Sequence, residues 1–232
     1  MSASHPGART RLGRGDSIVP KWLKDAGRLA LLPVIRLAQA LHLTPNTVTV
    51  IGLLIVAGAS LLIFNGLLLA GAAVLLAGSL LDAVDGALAR LQGGGTAFGS
   101  FLDSTLDRVG EAILYAGIVG WWLRVEADPT LPVLAAILAL IGSFMVSYSR
   151  ARAEGIGVSA AVGLAPRTER LALVIAGVAL AGLGWPVALL AILWLIVALT
   201  AATVVQRIWH VWQATQGQPA PSTSVSEHTQ ER

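Results

Sequence analysis

The chain has 232 residues, of which 55% are hydrophobic and only 12% charged, with a formal net charge of +3. A soluble domain carries about a quarter charged residues; half that share cannot coat a body of this size in water, which excludes an aqueous enzyme. Cysteine is absent, which removes disulfides, thiolate catalysis and Cys-ligated metals, and the basic residues are scattered between apolar runs rather than gathered on one face, which speaks for charge beside a bilayer and against a nucleic-acid partner.

Composition therefore predicts an all-α integral membrane protein. Residues 1–16, made largely of Ser, Gly, Arg and Pro, read as disordered. They do not resemble a secretory signal, because the basic stretch leads into an amphipathic segment and not into a short apolar one. That segment, Pro20 to His42, carries Lys21, Lys24, Asp25, Arg28 and Arg36 at helical spacing, with Leu23, Leu31, Leu32, Ile35 and Leu37 between them. A helix of this kind lies along the membrane interface, or alternatively packs on a helical bundle as a short cytosolic helix.

A membrane-crossing helix needs about 20 mostly apolar residues. Six stretches qualify, at 46–65, 67–90, 97–123, 131–152, 167–184 and 186–209. The expected architecture is thus six transmembrane helices plus an N-terminal amphipathic interfacial helix, forming one membrane domain over residues 17–212, with a disordered tail at 213–232. Counting Lys and Arg near the span ends puts both termini in the cytoplasm, with Arg124 the one basic residue on the far side. Trp121, Trp122 and Trp185 then fall at the outer interface, and Trp22, Trp209 and Trp212 at the inner one, as interfacial anchors.

Four carboxylates break the apolar pattern. Asp82 and Asp85 end the second span, and Asp103 and Asp107 begin the third, with Gly93, Gly94 and Gly95 in the turn between. Spacings of three and four put each pair on one helix face. Ionised carboxylates below the headgroups cost about 2.5–3.5 kcal/mol each on the mildest scale, so four that converge demand a cation. Oxygen-only ligation with no His or Cys nearby fits Mg²⁺ or Mn²⁺ and a phosphorylated substrate. Helix caps or ion pairs with Arg90 and Arg108 would account for one or two of the carboxylates but not for four, and a divalent-cation transporter is the competing reading on chemistry alone. Gly86 and Ala89 either allow close helix packing or leave room for a ligand.

As one pattern, Asp82-xx-Asp85-Gly86-xx-Ala89-Arg90, eight residues, then Gly99-xxx-Asp103-xxx-Asp107 resembles the signature of the CDP-alcohol phosphotransferases, with all eight fixed residues matched. The resemblance spans about residues 20–212 and implies the family's reaction. A CDP-linked donor binds through its diphosphate and a divalent metal, an alcohol attacks the β-phosphoryl group, and CMP leaves. It implies that Asp82, Asp85, Asp103 and Asp107 hold Mg²⁺ or Mn²⁺ with Asp107 also the base, that Gly86, Ala89, Arg90 and Gly99 bind the CDP donor, and that the enzyme is a homodimer in the cell membrane.

Within the family, Asp107-Arg108, Ser149-Arg150-Ala151-Arg152-Ala153-Glu154, Arg167-Thr168-Glu169-Arg170 and Val205-Gln206-Arg207 are similar to the bacterial phosphatidylinositol phosphate synthases, with Arg150 where Lys is usual. In that branch Arg150, Arg170 and Arg207 would hold the phosphate of inositol phosphate, the acceptor for the phosphatidyl group of CDP-diacylglycerol. Taken singly, each arginine is equally a topology charge on the positive side. Glycerol 3-phosphate is the alternative acceptor, and a non-catalytic membrane scaffold a further alternative. The outer halves of the spans, almost wholly Leu, Ala, Val and Ile, lack the broken or polar helices a transporter needs. The uncharged loop from Gly155 to Pro166 leaves the acceptor's hydroxyl contacts unassigned.

Overall fold

The computed structural model describes residues 44–91, 96–164 and 166–217, and the side chains of all of these except 80–91. Six α-helices make up these residues: α1 (Pro45–Phe64), α2 (Leu68–Leu91), α3 (Ala97–Val125), α4 (Thr130–Glu154), α5 (Arg167–Gly182) and α6 (Pro186–Ala214). Each falls on one of the six apolar stretches of the sequence. The amphipathic segment from Pro20 to His42, the Gly93–Gly95 turn, residues 1–16 and residues 218–232 lie outside the described residues, while 213–217, expected in the disordered tail, finish the last helix and turn through Gly217.

The helix starts follow from local chemistry. Thr44 caps α1 by accepting from the Thr47 N–H at 3.2 Å, with Pro45 as the first helical residue, and Thr96 caps α3 by accepting from the Gly99 N–H at 2.9 Å. The ends of α1 and α5 turn through Gly66 (φ 81) and Gly184 (φ 97), a left-handed backbone open to glycine at no steric cost. At the far end of α3, Arg124 donates to the Phe64 carbonyl at 3.1 Å and stacks over the Phe64 ring, so it satisfies the last carbonyls of α1.

α1 packs along both α2 and α3, α6 packs along both α4 and α5, and contacts of α2 with α5 and of α3 with α4 join the two trios. The core runs through the middle of this ring and includes Ile63, Leu75, Ile118, Val178, Leu189 and Ile196, all essentially inaccessible. Small residues let the spines approach. A β-carbon at Gly117 would collide with Ser60 of α1, and one at Gly142 with Thr200 of α6. The outward faces stay apolar, with Leu54, Leu61 and Val187 among the side chains more than 60% exposed (66%, 62% and 73%).

By length and composition, α1, α4 and α6 are able to cross a membrane. Apart from Arg124, the charged residues of α3, α4 and α5 lie toward one end of the bundle, where α2, α4 and α6 finish and α3 and α5 begin. α6 runs to Ala214, five residues beyond the apolar stretch, because hydropathy marks the edge of an apolar layer and not the end of a helix. One expectation is corrected. Trp121 and Trp122 are not surface anchors: they are 7% and 4% exposed, stack on each other at 4.7 Å and join the core. Two adjacent residues on a helix point about 100° apart, so on a helix with neighbours on two sides both rings can turn inward. Trp185, Trp209 and Trp212 are exposed as expected.

Candidate active site

The acidic stripe lies on α3. Asp103, Asp107 and Glu111 recur every four residues and so share one face. Asp107 is only 14% exposed at its side chain, and its Oδ1 meets the Arg167 guanidinium from the first turn of α5 at 2.6 Å, with Arg108 at 3.7 Å from Oδ2. One turn further in, Glu111 divides its two oxygens. Oε2 accepts from Arg108 Nη1 at 3.0 Å, and Oε1 accepts from Arg170 Nη2 at 3.1 Å. Arg108 also donates to the Ser147 hydroxyl of α4. Carboxylate and guanidinium thus alternate around one space reached from α3, α4 and α5.

Part of that space is an open cavity bounded by α1, α2, α3 and α5. Asp107, Glu111, Arg167 and Arg170 form its charged wall, with Thr49 and Ser79 beside them. Its remaining wall is apolar, made by residues such as Val48, Leu53, Leu75 and Val174. A cavity charged on one side and apolar on the other suits a ligand with an ionic head and a hydrocarbon body.

The expected site residues divide into three groups. Asp82, Asp85, Gly86, Ala89 and Arg90 occupy the last turns of α2, where the backbone is helical and the side chains lie outside the described residues. Asp103, Asp107 and Gly99 lie in the first three turns of α3. Gly99 serves a close approach there, since a β-carbon would come within 3.0 Å of the Asn46 side chain of α1. Arg150, Arg170 and Arg207 come from α4, α5 and α6, and Arg150 and Arg170 both stand within electrostatic range of Arg207.

The three arginines are held differently. Arg150 is half exposed and pairs with Glu154 one turn on, at 2.9 Å. The Arg170 side chain is 3% exposed and pairs with Glu111. Arg207 is 7% exposed, and its guanidinium donates to backbone carbonyls: Nε to Val162 at 2.9 Å, and Nη1 to Val146. Among the described residues it has no carboxylate partner.

Arg207 also belongs to a row that fastens the uncharged loop. Thr203, Arg207 and His210 lie at helical spacing on one face of α6. Thr203 accepts from the Leu164 N–H at 3.2 Å, Arg207 donates to the Val162 carbonyl, and the His210 ring meets the Ser159 carbonyl at 3.1 Å. Gly163 seats against Thr203, where a β-carbon would collide with the threonine methyl. A loop without charged side chains is thereby fixed through its backbone.

Among the described residues, no three His, Asp or Glu side chains meet in metal-binding geometry. The two described members of the expected set nevertheless fit a hard divalent ion. Asp103 and Asp107 supply oxygen ligands only, from one helix face, and Asp107 already draws a cationic guanidinium to 2.6 Å. Sequence reasoning missed two participants. Glu111 extends the four-residue repeat by one step beyond the motif, and Arg167 sits three residues before Arg170, a spacing that puts both on one face of α5.

A helical bundle whose charged end pairs an acidic stripe with guanidinium groups, beside an apolar cavity wall, suits a phosphorylated lipid substrate. The family model for CDP-alcohol phosphatidyltransferases matches residues 42–204, and the chain belongs to that family. It is 39% identical over 178 residues to the phosphatidylinositol phosphate synthase of Corynebacterium glutamicum, covering 76% of this chain and 81% of that one. It is 40% identical over 186 residues to the archaetidylinositol phosphate synthase of Methanothermobacter thermautotrophicus, covering 78% and 92%. Among solved structures, the Mycobacterium tuberculosis phosphatidylinositol phosphate synthase in complex with manganese and citrate is similar at TM-score 0.72 and 36% identity, over 78% of this chain and 88% of that one. The same synthase with CDP-DAG bound is similar at TM-score 0.71 and 37% identity, over 78% and 92%.

Proposed function

We propose that the protein transfers the phosphatidyl group of CDP-diacylglycerol to inositol phosphate, releasing CMP and forming phosphatidylinositol phosphate. What supports this choice of acceptor is that Arg150 and Arg170, from two other helices, act electrostatically on Arg207, which is itself buried and bonded to carbonyls. The three guanidinium groups repel, and Arg207 is buried with no carboxylate in ion-pair contact, Glu154 acting on it only from further off, which is costly. A phosphate dianion relieves both penalties and accepts the paired N–H groups that guanidinium presents. Glycerol 3-phosphate shares that phosphate; kinship to synthases named for inositol phosphate products favours the inositol compound.

In this reading all six helices span the inner membrane, with the charged end at the cytoplasmic face, and the protein works as a homodimer. The exposed apolar faces of the bundle meet lipid, and the donor's acyl chains stay in the leaflet beside the apolar wall of the cavity. Asp82, Asp85, Asp103 and Asp107 hold Mg²⁺ or Mn²⁺, which when bound neutralises charge on the donor diphosphate. Gly86, Ala89, Arg90 and Gly99 border the CDP. Asp107 takes the proton of the acceptor hydroxyl as its oxygen bonds to the β-phosphorus, and the bond from that phosphorus to the CMP oxygen breaks. Arg150, Arg170 and Arg207 orient the acceptor through its phosphate, which converts a bimolecular encounter into a positioned attack.

The test is CMP release by purified protein supplied with CDP-diacylglycerol and one acceptor at a time. Inositol phosphate should give the highest kcat/KM, glycerol 3-phosphate less, and free inositol little. Free inositol turning over as well as its phosphate would refute the acceptor assignment.

A further inference from the structure

We infer that Glu111, which lies outside the metal-binding motif, is a positioning residue for the acceptor phosphate, acting by holding the Arg170 guanidinium in place; this rests on Arg170 being a phosphate ligand. Both Glu111 oxygens are committed, one to Arg108 and one to Arg170, and the carboxylate is 13% exposed at the cavity wall. Arg108 is also held by the Ser147 hydroxyl and stands 3.7 Å from Asp107, so it has anchors on two helices without Glu111. Arg170 comes from the first turn of α5, a different helix, and Glu111 reaches it across the cavity.

A guanidinium on a long side chain loses much rotamer freedom when it engages a ligand. Glu111 imposes that order beforehand, so the acceptor meets an arginine already set. The carboxylate also keeps the cluster from carrying uncompensated positive charge between turnovers, when no phosphate is bound. An ion pair serving only to tie α3 to α5 would affect stability alone. The positioning role also reaches acceptor KM, through Arg170.

The experiment compares the full-length wild type with Glu111→Gln, Glu111→Asp, Arg170→Gln and the Glu111→Gln/Arg170→Gln double variant, in CMP release with saturating CDP-diacylglycerol and varied inositol phosphate. Glu111→Gln should raise the acceptor KM roughly fivefold, less than the roughly ten- to hundredfold expected when Arg170 itself is lost, with donor KM unchanged. Glu111→Asp keeps the charge on a shorter arm and should recover most of the loss. In the Arg170→Gln background, removing Glu111 should change acceptor KM no further. Fully multiplicative effects, or a lowered melting temperature with unchanged acceptor KM, would overturn the inference. Should Glu111→Gln not fold, the smaller Glu111→Asp effect must vanish in the Arg170→Gln background, and its persistence there would overturn it equally. Arg170→Gln with unchanged acceptor KM refutes the acceptor reading itself, whereas an Arg170 effect with no Glu111 effect refutes only the role of Glu111.

Discussion

Replacing Arg207 by Gln probes the acceptor site most directly. Arg207 is 7% exposed and donates to the carbonyls of Val162 and Val146, so in the absence of acceptor its charge rests on backbone dipoles. A bound phosphate would add a charge-assisted hydrogen bond, worth about 1.5–3 kcal/mol. At about 1.4 kcal/mol per tenfold, the variant should lose roughly ten- to a hundredfold in acceptor affinity. One hydrogen bond to the loop and one to α4 are weakened as well, and that loss falls on every acceptor alike. The discriminating quantity is therefore the ratio of kcat/KM for inositol phosphate to that for free inositol, measured by CMP release at saturating CDP-diacylglycerol. The ratio should collapse by the same ten- to hundredfold. A ratio equal to wild type, with both acceptors slowed in step, would show that Arg207 holds the loop and does not touch phosphate.

Asp107→Asn should still bind CDP-diacylglycerol but release CMP about 10²–10⁴-fold more slowly, the usual contribution of a positioned base; donor binding lost as completely as rate would make Asp107 a metal ligand first. EDTA should silence the wild type, and excess Mg²⁺ or Mn²⁺ should restore it, while Asp103→Asn should need more metal for half-maximal rate. Gly142→Val drives a branched side chain into Thr200 at the contact of α4 with α6, and should cost about 1–3 kcal/mol of stability, read as a lower melting temperature in detergent.

The six helices were legible because a bilayer-scale apolar run is a strong signal, and each observed helix falls on its expected stretch. What hydropathy could not give was which face of a run turns inward. Trp121 and Trp122 read as interface anchors by position, yet neighbouring helices enclose both. In the site, the two α3 carboxylates were found through fixed spacing, and the arginines through local runs around them. Glu111 lay one further step along the same four-residue repeat, but a motif ends where its fixed residues end. Contacts of Arg207 with Val146 and Val162 were beyond reach. They depend on how α6 packs on α4, on the path of a loop with no charge and no periodicity, and on carbonyls that every residue type carries alike.

The two ion pairs that cross the cavity carry a further consequence. α3 and α5 both begin at the charged end and run in the same direction, and long side chains bridge them: Asp107 with Arg167 and Glu111 with Arg170 form successive rungs about one turn apart. A slip of one turn that set Asp107 against Arg170 would carry Arg167 to Asp103 and leave Glu111 without its α5 partner, so the two rungs together favour one register. The inner rung is the costlier, since the side chains of Arg170 and Glu111 are 3% and 13% exposed. Removing one partner of a buried pair costs about 3–5 kcal/mol, whereas replacing both by apolar residues of similar size is often neutral or stabilising. Glu111→Leu should therefore lower the melting temperature strongly, and adding Arg170→Leu should restore it or raise it further. The same double variant should be nearly inactive at low inositol phosphate, because it lacks the Arg170 guanidinium that the proposed reading sets on the acceptor phosphate. A double variant that is both stable and active would mean that the cavity's charge is dispensable for turnover. A double variant as unstable as Glu111→Leu alone would mean that the rung is held by more than its own two charges.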